Sequence, residues 1–207
     1  MSWLLNFTDK IIHLDSYLIS IVQQYGILTY PILFIIIFLE TGIVITPFLP
    51  GDSLLFVAGT ISAIGNLNVF FLLILLIFAA IIGDSLNYWI GFHIGKKVFI
   101  ERKLIHIKYL QKAEIFYEKN GSKTIFLARF IPFIRTFAPF LAGVGKMRYS
   151  IFLFYNIFGA IVWVALFLLL GYFFGNIPIV KENLTIFILV IIFFSLIPLI
   201  IEFFKKK

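Results

Sequence analysis

The stretch that decides this chain runs Arg129-Phe-Ile-Pro132-Phe-Ile-Arg135-Thr-Phe-Ala-Pro139-Phe-Leu-Ala-Gly143. Two guanidinium groups, Arg129 and Arg135, stand in an otherwise apolar segment. Pro132 and Pro139 prevent one clean helix, because proline lacks an N–H and restricts the residue before it. A charge in hydrocarbon costs at least ~2.5–3.5 kcal/mol. Two of them in a broken apolar segment call for counter-charges and a purpose, and Glu40 and Asp52, in a second broken stretch, are the counter-charges the sequence offers.

Working outward, the 207 residues are 62% hydrophobic and 13% charged. A soluble domain carries about a quarter charged residues. Several apolar runs approach the ~20 residues that cross a bilayer as a helix. The chain therefore reads as an all-α integral membrane protein. Net charge is +7, and thirteen of the seventeen Lys and Arg fall in three clusters: residues 96–123, Lys146 with Arg148, and Lys205–Lys207. Clusters that flank membrane segments follow the positive-inside rule and exclude nucleic acid as a partner. All three are expected in the cytoplasm, the C-terminus included. No basic n-region precedes the first apolar run, so the membrane segments are expected to direct insertion themselves. There is no cysteine, and His13, His93 and His106 lie far apart. Neither metal nor cofactor is expected.

In chain order, residues 1–25 read as an amphipathic or interfacial helix, and 26–175 as the main membrane domain. Residues 30–62 are two short apolar arms separated by Glu40, Gly42, Pro47, Pro50, Gly51 and Asp52. Irregular backbone at membrane depth survives only where protein or a wet cavity covers it, so this stretch predicts a re-entrant hairpin. Spans are expected at about 67–95 and 150–175, a basic cytoplasmic helix at 96–123, a second re-entrant hairpin at 124–144, and a last transmembrane helix at 184–207. Gly91/Gly95 and Gly171/Gly175 have the GxxxG spacing of close helix packing, within the chain or in a homo-oligomer.

The two broken stretches resemble each other. Pro47-Phe48-Leu49 closes with Ala58-Gly59, and Pro132-Phe133-Ile134 closes with Ala142-Gly143. Two interrupted hydrophobic segments in corresponding halves point to a transport site built by an inverted repeat. The first half brings two acids and the second two arginines, so their formal charges cancel.

Five ordered motifs carry a family resemblance: Phe38-Leu39-Glu40-Thr41-Gly42; Pro47-x-x-Pro50-Gly51-Asp52-x-Leu54; Gly83-Asp84-x-x-x-Tyr88-x-x-Gly91; the Arg129–Met147 stretch; and Asn156-x-x-Gly159-x-x-x-Trp163. Over roughly residues 25–175 the chain resembles the DedA membrane proteins, which share the VTT or SNARE-associated domain. It departs from them after Gly91, where the family often has Arg and this chain has Phe92. The resemblance implies a bacterial inner-membrane protein linked to the proton-motive force and to flipping of a polyprenyl phosphate carrier such as undecaprenyl phosphate. Eukaryotic relatives scramble phospholipids. It maps the family's membrane acids onto Glu40 and Asp52 and its arginines onto Arg129 and Arg135.

The residue chemistry fits that reading. Arg presents a planar fork matched to phosphate, so Arg129 and Arg135 are the expected headgroup ligands. Burial and a neighbouring guanidinium act on a carboxyl in opposite senses, which suits Glu40 and Asp52 to proton coupling. Asp84, Pro47, Pro50, Gly51, Pro132, Pro139 and Asn156 are expected to support the site. The expected partners are a membrane lipid and protons. Two alternatives differ in class: a proton-coupled exporter of a small soluble solute, and a membrane phosphate-ester enzyme. The second lacks a Ser/His/Asp or metal grouping near the arginines, so no enzymatic activity is expected.

Overall fold

The computed structural model describes residues 25–43, 51–65, 67–94 and 121–178. Among the described residues every regular element is helical. After a 3-10 turn at Gly26–Leu28 come α1 (Thr29–Gly42), α2 (Gly51–Ala63) and α3 (Val69–Ile94). A second 3-10 turn at Gly121–Lys123 leads into α4 (Thr124–Ala128), α5 (Pro132–Val144) and α6 (Tyr149–Gly175). The expected segment 184–207, nearly all of 1–25 and of 96–123, and Pro47, Pro50 and Gly95 lie outside the described residues.

Helix lengths sort the elements. At ~1.5 Å per residue, α3 with 26 residues and α6 with 27 run about 40 Å. Both exceed the ~30 Å hydrocarbon core. Helices α1, α2 and α5 have 14, 13 and 13 residues, about 20 Å each, and fall short of it. Local chemistry sets the boundaries. Asn68 Oδ1 accepts the Phe71 N–H at 3.0 Å and caps α3. Between α4 and α5 the N–H groups of Arg129, Phe130 and Ile131 bond three residues back, tightening the end of α4. Ile131 is extended, at φ −119° and ψ 105°, as a residue before proline is pushed to be. Pro132 then opens α5, where its missing N–H is of no consequence. The break read from the prolines is therefore a three-residue link, Arg129–Ile131, whose last residue is extended.

The chain forms two compact units. One contains α2 and the residues from Ala165 onward. There the Thr60 hydroxyl donates to the Gly171 carbonyl at 3.1 Å, and a Cβ on Gly171 or Gly175 would collide with the backbone of Phe56 or Thr60. The second GxxxG spacing thus serves packing within the chain. The other unit spans Leu33–Leu49 and Ile74–Val164 and holds α4 and α5 entire. Within it α3 buries Leu76, Ala79, Ala80, Asp84, Asn87, Tyr88 and Gly91, a stripe at helical spacing. Gly91 lies against the backbone of Phe140, and Gly143 against that of Tyr88, so α3 and α5 touch main chain to main chain. Tyr88 stacks on Phe152 of α6, with ring centroids 4.6 Å apart.

Candidate functional site

Every side chain of the site comes from the Leu33–Leu49 and Ile74–Val164 unit. Helix α1 brings Glu40 near its end, and α3 brings Asp84 and Asn87, three apart on one face. Arg129 is the residue on which α4 closes, and Arg135 stands in the first turn of α5. Helix α6 presents Asn156, Gly159 and Trp163 along one face.

These groups form two ion pairs on one aromatic ring. Arg129 Nη2 pairs with Asp84 Oδ2 and also donates to Asn156 Oδ1; Arg135 Nη2 pairs with Glu40 Oε1. The Arg129 and Asp84 side chains are 5% and 6% exposed, those of Arg135 and Glu40 12% and 1%. Both guanidinium carbons lie over the buried Trp163 ring, at 5.8 Å for Arg129 and 5.2 Å for Arg135. The indole offers both cations a negative π-face where little water reaches them. The formal charges of the four groups sum to zero, so each offsets part of its neighbours' desolvation.

A ring of neutral groups fixes this geometry. Asn156 Nδ2 donates to the Ile81 carbonyl at 3.1 Å, which orients its Oδ1 for Arg129. Asn87 Nδ2 donates to the carbonyls of Thr41, at 3.2 Å, and Thr136, at 2.9 Å. Those residues directly follow Glu40 and Arg135, so one carboxamide ties the peptides beside both members of that pair. Pro139 gives no N–H to the Arg135 carbonyl four residues back, which interrupts the helical ladder at the same level. Gly159 makes room for Arg129: a Cβ there would fall 2.8 Å from Arg129 Cδ and 2.9 Å from Nε. Arg129 Nε and Asn87 Oδ1 are buried with no hydrogen-bond partner among the described residues. Glu40, Thr41, Asp84, Arg129, Arg135, Thr136 and Trp163 line a cavity of about 10 Å³. That is space for roughly one water molecule, not a phosphate.

The candidates from sequence are distributed as follows. Glu40, Asp84, Arg129, Arg135 and Asn156 come together. Arg129 takes its carboxylate from Asp84 on α3, where the charge count had assigned it to the first broken stretch. Asp52 stands in the first turn of α2, in the other unit, and Gly51 begins that helix. Pro132 and Pro139 shape α5. Sequence reasoning passed over Asn87 as a site residue, although it lies one turn beyond Asp84 in a polar half-span. It quoted Trp163 without a role; the signal there is its spacing of seven from Asn156 and four from Gly159. Among the described residues no three His, Cys, Asp or Glu side chains gather as metal ligands. His93 is exposed and stacks on Trp89 with centroids 5.2 Å apart.

Two helices are long and apolar enough to cross a bilayer, and buried ion pairs join one of them and the shorter helices. The VTT domain model matches residues 49–173. The chain is 51% identical over 203 residues to Protein DedA of Escherichia coli (strain K12), covering 96% of this chain and 93% of that one. A membrane protein of Mycobacterium leprae (strain TN) is 41% identical over 173 residues, 83% of this chain and 78% of that one. Inner membrane protein YqjA of Escherichia coli (strain K12) is 32% identical over 187 residues, 86% and 85% of the two chains. No solved structure matches. The chain belongs to the DedA family of VTT-domain membrane proteins.

Proposed function

We propose that this protein moves an anionic lipid across the bacterial inner membrane, most simply a polyprenyl phosphate carrier such as undecaprenyl phosphate or else a phospholipid, and that protons drive it. It acts as a transporter and not as an enzyme. Arg129 and Arg135 receive the phosphate; Glu40 and Asp52 carry protons, and Asp84 joins them as the acid paired with Arg129. The observation that carries this reading is the pair of buried guanidiniums on Trp163, each neutralised by a carboxylate, around a cavity of about 10 Å³. Such a site is a closed anion receptor. A phosphate fits only when the carboxylates give up the arginines, and protonation of a carboxylate is the chemistry that releases its guanidinium.

The finer architecture belongs to the same proposal. The sequence stretches 30–62 and 124–144 are read as two re-entrant hairpins of opposite orientation, the pattern of transporters built from inverted repeats. The basic clusters put 96–123, Lys146 with Arg148, and the C-terminus in the cytoplasm. Inner membrane protein YqjA bears its location in its name, and the same location is proposed here.

The test is reconstitution. Purified protein in liposomes is given a fluorescent or isotopically labelled polyprenyl phosphate or phospholipid, and leaflet exchange is followed with and without a proton gradient. Exchange is expected in the wild type and lost in Arg135→Ala and in Arg135→Lys, which keeps the charge but not the fork. Full exchange in both variants overturns the reading. Gradient-driven flux of a soluble solute, with lipid exchange absent, favours the exporter instead.

A further inference from the structure

We propose that the cleft between α4 and α6 seats one hydrocarbon chain of an anionic membrane lipid, with Lys123 at its mouth meeting the headgroup. The cleft encloses about 370 Å³ and is lined by Lys123, Phe126, Leu127, Phe154, Tyr155 and Phe158. That volume lies within the ~300–1,000 Å³ of ordinary ligand pockets.

Three observations select a lipid chain as the occupant. The walls are wholly apolar, so Lys123 contributes only its methylene stem and its ammonium stands clear of the cleft. A ligand with an apolar body and an anionic end matches that arrangement, whereas a polar solute finds no hydrogen-bonding wall. Next, the cleft is built from rings that leave a slot: Phe126 and Phe158 lie 5.3 Å apart at 36°, and Phe154 and Phe158 remain 67% and 54% exposed. A lone exposed aromatic is ordinary on a membrane helix, but a concave cluster ending at a cation is not. Finally, the cleft backs onto the candidate site. Gly159, beside Phe158, would carry a Cβ 3.6 Å from Phe126 Cα and 2.9 Å from Arg129 Nε. That Nε is buried without a hydrogen-bond partner. The cleft wall and the Arg129 stem therefore share one contact, and a chain in the cleft lies one residue's width from a guanidinium. This link to Arg129 rests on the lipid-transport reading; occupancy of the cleft does not, and the experiment reads occupancy alone.

Full-length protein is placed in phosphatidylcholine nanodiscs doped with phosphatidic acid or phosphatidylcholine bearing a photoactivatable group on one acyl chain. Crosslinked residues are mapped by mass spectrometry. Phosphatidic acid is expected to label residues 123–130 and 154–158 well above Phe70, Phe71 and Phe78, which are also exposed. Lys123→Gln should lower the preference for phosphatidic acid about fivefold, the weight of one lysine near an anionic headgroup. Leu127→Trp should fill the cleft and reduce its labelling without changing that of Phe78. Uniform labelling of all exposed aromatics means annular contact only and overturns the proposal, as does a headgroup preference unmoved in Lys123→Gln. Crosslinks from the cleft to a second copy of the chain assign the cleft to an interface and overturn it too. Failure here with lipid exchange intact removes the cleft while leaving the transport reading standing.

Discussion

Asp84→Asn tests the innermost contact, because it removes one charge and almost no volume. Arg129 and Asp84 are each about 95% buried, and the four charges of the site cancel as they stand. The substitution leaves a net positive charge beside Trp163. Removing one partner from a buried ion pair costs ~3–5 kcal/mol, chiefly the desolvation of the charge left behind. The new carboxamide still accepts a hydrogen bond from Arg129 Nη2, which returns about 1 kcal/mol. The expected net loss is therefore about 3 kcal/mol. For a chain of this length that lowers the melting temperature by roughly 6–12 °C. The assay is thermal unfolding of the purified protein in detergent, followed by intrinsic fluorescence. The double variant Asp84→Asn/Arg129→Gln restores neutrality and is expected to be more stable than Asp84→Asn alone, with a coupling of ~1–3 kcal/mol. A shift below about 2 °C in Asp84→Asn, or simple additivity in the double variant, would refute the pairing.

Three further substitutions probe the ring around the pairs. Gly159→Ala forces the Arg129 stem aside and should cost ~1–3 kcal/mol; because the shift also disturbs Asp84, adding Asp84→Asn should cost less than in the wild-type background, and full additivity in the melting temperatures argues against the contact. Asn87→Asp replaces the donor to Thr41 and Thr136 with an acceptor facing two acceptors, so it should melt below Asn87→Ala; the reverse order refutes the assigned amide orientation. Gly83→Ala drives a methyl into Thr41 Oγ1 and to 2.9 Å from the Phe38 carbonyl, and Thr41→Ala should relieve it only in part, since the carbonyl stays; complete rescue places the whole clash on the hydroxyl.

What the sequence made legible is what short-range physics dictates. Long runs such as 150–175 must be helices because no backbone group can go unpaired in hydrocarbon. Pro132 fixes its own φ and extends Ile131, so the break before α5 follows from neighbours alone. The two arginines announced themselves by their desolvation cost. Which acid meets which arginine was not legible. Glu40 and Arg135 are 95 positions apart and Asp84 and Arg129 are 45 apart. Their meeting depends on how α1, α3 and α5 rotate about their axes, which is set by glycine contacts such as Gly91 on Phe140. Counting charges gave a neutral total with Asp52 as readily as with Asp84. Trp163 was hidden by abundance: among 27 Phe, 9 Tyr and 3 Trp, composition does not say which ring turns inward onto the cations.

The geometry also orders the events of any opening. The cavity of about 10 Å³ admits a water and excludes a headgroup, so the proposed transport requires one ion pair to part before an anion enters. The two pairs are not equivalent. Arg129 is wedged against Gly159, is held by Asn156 as well as by Asp84, and is 5% exposed; Arg135 is 12% exposed. Arg135 also stands on a helix whose hydrogen-bond ladder is interrupted by Pro139 and which begins at the extended Ile131. Its partner Glu40 lies in the last turn of α1, next to Thr41 and Gly42. Asp84 and Trp163 stand on the uninterrupted helices α3 and α6, whereas Glu40 stands at a helix end and Arg135 in a proline-interrupted turn. On the proposed transport reading, the Glu40–Arg135 side is the one expected to give way, against Asp84 and Trp163 on the long helices. The Asn87 amide joins the Thr41 and Thr136 carbonyls, which adjoin the two members of that pair. Parting Glu40 from Arg135 by displacing either helix end strains those two bonds, so on the proposed transport reading Asn87 is expected to resist the opening of the pair.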